Sequence, residues 1–65
     1  MLLIPTDVYD KEGNLTRIEF YDNEGKFVIQ AEWDPRDEQS SENRIKFREW
    51  AYRIISQDDK YEVVK

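Results

Sequence analysis

Asp10-x-Glu12 and Asp22-x-Glu24 place carboxylates at alternate positions, the spacing with which a loop can wrap a hard divalent cation. A calcium loop of the helix–loop–helix kind needs oxygen ligands at positions 1, 3, 5 and 12 and a glycine at position 6. Counted from Asp10, position 6 is Leu15 and position 12 is Tyr21; counted from Asp22, position 5 is Lys26 and position 12 is Trp33. Both segments fail, so their acids read as turn formers and solubilising groups, and no metal or other cofactor is expected. Fifteen carboxylates offer many pairs for acid–base work, but such a pair needs a pocket that drives its two pKa values apart. The chain has no His and no Cys, Ser40-Ser41 has no base to activate it, and the two glycines belong to turns instead of a phosphate-cradling loop. No catalytic residue can be nominated, and a non-enzymatic protein is expected.

Two surfaces are left as candidate binding sites for another protein. At 100° per residue Ile45 and Tyr52 lie together, one heptad apart and away from the expected core stripe, with Arg48 between them. An aliphatic, an arginine and a tyrosine side by side have the composition that protein interfaces favour. The second surface is acidic: Glu19 and Glu32 on the outer sheet face, with Asp22, Glu24, Asp34, Asp37 and Glu38 expected at one end. Spaced carboxylates on a rigid sheet could imitate phosphates and occupy a basic partner's groove.

The elements that must hold these residues follow from a turn used twice. Tyr9-Asp10-Lys11-Glu12-Gly13-Asn14 is echoed by Tyr21-Asp22-Asn23-Glu24-Gly25-Lys26, each between segments rich in β-branched and aromatic residues. Asp opens such a turn through its own backbone and Gly closes it with a left-handed residue. The repeat predicts an antiparallel meander of strands Leu2–Tyr9, Leu15–Tyr21 and Lys26–Trp33, with Pro5 marking an edge or a bulge. Ile18 and Phe20 share one face of the second strand; Phe27, Ile29, Ala31 and Trp33 share the inner face of the third. A short turn at 35–38 leads to a helix over Ser41–Ser56, with a single helix from Pro35 as the alternative. Phe47, Trp50, Ala51, Ile54 and Ile55 form its core stripe. Tyr61–Val64 reads as a last short strand, parallel to the first, in sheet order 3-2-1-4. The fold class is α+β, a βββαβ single domain spanning residues 1–65.

The repeated Tyr-Asp-x-x-Gly pattern, with Asn14-Leu15-Thr16 after its first copy, resembles the YD repeats of large Rhs-type shell proteins. It covers about residues 9–26, and no function is carried over from what is shared hairpin chemistry.

Charge narrows the partners. Residues 1–39 hold ten acids and four bases, whereas residues 40–65 hold five acids and six bases, for a net charge of −5. Such a field repels nucleic acid and favours a basic protein surface. The alternatives are a nucleic-acid regulator using Arg44, Lys46, Arg48 and Arg53, and a self-associating homodimer. Leu2-Leu3-Ile4 is too short for a signal core and no segment suits a membrane, so a cytoplasmic location is expected. By analogy of size, acidity and lack of cysteine, the chain resembles phage-encoded proteins that modulate or inhibit host proteins.

Overall fold

The computed structural model describes residues 1–64; Lys65, the last residue of the expected domain, lies outside them. Four strands and one helix follow the expected order: β1 (Leu2–Tyr9), β2 (Leu15–Tyr21), β3 (Phe27–Glu32), α1 (Ser41–Ser56) and β4 (Glu62–Val63). The sheet order is β3-β2-β1-β4, antiparallel through the meander and parallel between β1 and β4. The fold is α+β, with α1 packed across one face of a single sheet.

One device makes all the sharp bends. Asp10, Asp22, Asp34 and Asp58 each accept the backbone N–H two residues on with a side-chain oxygen, at 2.9–3.0 Å. In the two hairpins the same oxygen also takes the N–H of Asn14 or Lys26. Gly13 and Gly25 stand at φ 83° and 81° in open space, so glycine is needed there for its backbone alone. Ser40 caps the helix by accepting the Asn43 N–H, which is why α1 begins at Ser41 and not at Pro35. Pro5 is tolerated inside β1. The carbonyls of Met1 and Leu3 face β4, so the odd-numbered residues point their backbone that way, and β4 has ended by the level of Pro5.

Leu3, Ile18, Phe20, Ala51, Ile55 and Val63 form the core, with Val28, Ala31, Phe47, Tyr52 and Tyr61 packed round it. Two expectations are corrected here. Phe27 is not a core residue. Phe20 pairs with Ile29 while Tyr21 pairs with Phe27, so Val28 is an extra residue in β3. A bulge of this kind reverses the alternation beyond it. Phe27 therefore swings to the outer face, edge-on to Tyr21 at 6.0 Å and 52% exposed. The helix stripe is also rotated. Ala51 and Ile55 are buried as expected, but Trp50 and Ile54 are exposed and the inward row runs Arg44, Phe47, Arg48, Ala51, Tyr52, Ile55.

Polar contacts explain the rotation. Asp7 sits opposite Ile18 and so faces the helix, where Arg48 meets it at 2.7 Å and 3.0 Å. One turn earlier Arg44 reaches the Gly13 carbonyl and the side chain of Gln39. The Gln39 amide in turn accepts from the Leu15 N–H and donates to the Leu15 carbonyl, taking the place of a strand where β3 has ended. Two arginines four residues apart thus turn the helix toward the β1–β2 hairpin.

Truncating one buried strand aromatic and one exposed helix aromatic checks this packing. Phe20→Ala should cost about 3–5 kcal/mol and leave the domain largely unfolded. Trp50→Ala should cost about 1 kcal/mol, the scale of one aromatic pair. Urea midpoints check both, and equal losses for the two variants would contradict the packing described.

Candidate functional site

The two expected surfaces meet different fates. Of the helix patch, only Ile45 stands clear of the fold. Arg48 is held by Asp7 and the Tyr9 hydroxyl, and Tyr52 lies edge-on to Phe20 at 6.0 Å. Burial, with Asp7 close by, raises the Tyr52 pKa. Tyr52 is thus on the core side of the helix and not away from it, which is the correction the rotated stripe requires.

The acids do not share one end. Successive turns of a meander fall at opposite ends of the sheet, so Asp22 and Glu24 lie far from Asp34, Asp37 and Glu38. The second group is joined instead by the Asp10 turn, since Asp10 and Asp37 line one shallow depression behind Trp33. Glu19 is satisfied within its own strand: Tyr21 donates to it at 2.7 Å and Arg17 at 2.9 Å. Those two bonds lower the Glu19 pKa, and the same Glu19 contact raises that of Tyr21. Asp34 binds Arg36 through three side-chain contacts of 2.8–3.3 Å, which push its pKa down to about 2. Glu32, Asp37 and Glu38 are exposed, with only the Gln30 amide on the Glu32 carboxylate.

Where these acids meet the helix they frame a cleft of about 390 Å³, lined by Glu32, Asp34, Asp37, Asn43, Lys46, Phe47 and Trp50. Its wall is an aromatic ladder running outward from the core. Trp33 is nearly buried and donates its indole N–H to the Asp37 carbonyl. Phe47 stands edge-on to Trp33 at 5.2 Å and stacks on Trp50 at 6.0 Å. Trp50, at the mouth, is 43% exposed. Lys46 is drawn aside by Glu42 at 3.1 Å. An accessible indole with carboxylates around it suits a segment that lays apolar side chains on the indole and sets cationic ones against the carboxylates.

The acids of this cleft and the core side of Phe47 were legible in the sequence, but Trp50 was expected in the core and stands exposed. The signal available was Asp7, an acid on the inward alternation of a strand, which demands an arginine from the facing helix. A second apolar surface was also missed: Ile4, Tyr21 and Phe27 pair in a row across three strands on the outer face, with Leu2 beside Ile4. Among the described residues no three carboxylates converge as a cation would need, and no helix is long and apolar enough to cross a membrane. No protein family matches the sequence, and neither a curated protein nor a solved structure does.

Asp34 offers a direct check of the rim. Its depressed folded-state pKa means that its contribution to stability is complete above the unfolded-state value of about 3.9. That contribution is lost as the pH falls through about 2. A carboxyl NMR titration should place the Asp34 midpoint at about 2, and Arg36→Ala should raise it toward the ordinary aspartate value. A wild-type midpoint near that of free aspartate would break the assignment.

Proposed function

We propose that this domain is a non-enzymatic interaction module that takes a basic segment of another protein in the Trp50 cleft and thereby modulates or inhibits it. The observation that carries the reading is the half-exposed indole of Trp50, stacked on Phe47 and bordered by Glu32, Asp34 and Asp37. An exposed, rigidly backed tryptophan is the residue type that most often dominates a protein interface. The carboxylates select a cationic occupant and speed its capture through the field of a chain with net charge −5. By holding a basic segment, the domain competes with that segment's other anionic ligands, including the phosphates of nucleic acid.

Arg44 and Arg48 are engaged inside the fold and Lys46 pairs with Glu42, which leaves little of the helix to follow a phosphate backbone. The nucleic-acid reading therefore draws no support from the basic helix.

Fluorescence anisotropy with labelled Lys-rich peptides, and with the same peptides carrying Glu in place of Lys, tests the proposal. Wild type should bind the basic set only. Trp50→Ala should weaken that binding about tenfold, the effect of losing one interface anchor. The paired Glu32→Gln and Asp37→Asn exchange should weaken it as well and flatten its salt dependence. Equal affinity for both peptide sets, or an unchanged affinity in Trp50→Ala, would remove the cleft as the binding site.

A further inference from the structure

We infer that the partner segment binds in extended form, as a fifth strand along Gln30–Glu32 of β3, with alternate side chains entering the Trp50 cleft; this rests on the cleft being the binding site. β3 is the outermost strand of the sheet on one side, and its backbone shows which groups are free. The Trp33 N–H bonds to the Thr16 carbonyl at 3.0 Å, and the β2–β3 register continues from that pair. Alternation in an antiparallel ladder then makes Ile18/Ala31 and Phe20/Ile29 the hydrogen-bonded pairs. Gln30 and Glu32 must point their N–H and C=O groups away from β2. Among the described residues no loop, cap or side chain meets those groups.

An open edge is usually guarded by shortness, by a bulge, or by Pro and Lys. The opposite edge follows that rule, because β4 is only Glu62–Val63. On β3 the guards, Lys26 and the bulge at Val28, both lie at its first end, and Ile29–Glu32 is regular and unprotected. The layer above is also incomplete there. Helix α1 packs chiefly against β4 and β2 and covers β3 incompletely: Val28 and Ala31 pack at the margin of the core, but Ile29 is exposed. Trp50 and Ile54, one turn apart, are the exposed apolar residues on the flank of α1 that carries Phe47. The cleft begins at Glu32 itself, so edge and cleft form one continuous surface.

Charge selects the occupant. A second copy could satisfy the outward backbones only with Gln30 opposite Glu32 of the copy, which sets the two Glu32 carboxylates diagonal, roughly 7–8 Å apart. The Asp34 and Asp37 carboxylates lie at that same end of the strand. A strand with lysines or arginines on its outer face meets Glu32 with opposite charge instead. Its inward residues lie against Ile29 and Trp50. The geometry thus points to an alternating basic/apolar segment.

The probe is an end-blocked eight-residue peptide alternating Lys and Val, used with two Nα-methylated versions, one methylated at the Lys nitrogens and one at the Val nitrogens. Only one alternate set of peptide N–H groups can face β3, so one version should lose about tenfold or more in affinity while the other binds as before. Loss on Lys methylation marks antiparallel addition, and loss on Val methylation marks parallel addition. Amide exchange of the intact protein should show Gln30 and Glu32 slowed when the unmethylated peptide binds. If the peptide binds with dependence on Trp50, yet both methylated versions bind equally and those two amides remain unprotected, strand addition is wrong and the cleft reading survives. If none of the three peptides binds, both fall. If Gln30 and Glu32 become protected in the protein alone as its concentration rises, with a matching increase in sedimentation, the edge belongs to a second copy and the basic partner is excluded.

Discussion

Asp7 faces the helix because β1 alternates, and a carboxylate in that layer must be paired or the layer cannot close over it. Arg48 supplies the partner at 2.7 Å, with the Tyr9 hydroxyl as a second contact on the guanidinium. Both side chains remain partly in water, so the net energy of the pair is modest, nearer to that of a surface pair than a buried one. Its larger effect is on orientation. Fixing Arg48 against β1, with Arg44 fixed on the hairpin below, sets the rotation of α1 about its axis. Tyr52 then packs on Phe20, and Trp50 is carried out to the flank. The exposed cleft is therefore a consequence of where one strand acid needs its counter-ion.

The size of a helix explains why something had to be left bare. An α-helix with its side chains is about 10–12 Å across, and neighbouring strands lie about 4.7–4.9 Å apart. One helix covers roughly two strands well, and this sheet has four. The chain leaves α1 through the Asp58 turn directly into β4, which pulls the helix toward that side. β3, farthest from β4, is the strand that loses cover. The aromatic ladder from Trp33 through Phe47 to Trp50 closes the margin of the core without closing the surface beyond it.

Much of this fold was legible in the sequence, because the decisive features are local. Each hairpin is written in its own Asp and Gly, and β1, β2 and α1 have the ends that the turn and cap chemistry implies. The strand order followed from the helical crossover. What could not be read were two small displacements that depend on distant partners. One is the extra residue at Val28, which turns Phe27 outward although the alternation of Phe27, Ile29 and Ala31 looks regular on paper. The other is the helix rotation, a shift of less than one residue's arc that moves Tyr52 inward and Trp50 outward. A stripe as wide as Phe47, Trp50, Ala51, Ile54 and Ile55 does not itself say which margin will be covered. The acids of the cleft were named from sequence, and so was the core side of Phe47, whereas Trp50 was assigned to the wrong layer for that reason.

The hydrogen bonds of the turns and strands change the meaning of the negative charge. Asp10, Asp22, Asp34 and Asp58 each hold a turn through their own carboxylates, Asp7 anchors the helix, and Glu19 is bonded to Tyr21 and Arg17. Acidity in this chain is thus architectural in part, for six of its fifteen acids. In a small domain without disulfides such turns replace covalent constraint by narrowing the conformations each bend can adopt. A sum over carboxylates overstates what a partner would feel, because these groups are tied to backbone N–H groups, to arginines or to a tyrosine. At the end of β3 the carboxylates free of such ties are chiefly Glu32 and Asp37, and these two lie beside the Trp50 indole. Selectivity would then depend on matching a strand edge, an aromatic face and two carboxylates together, a demand that diffuse acidity could not impose.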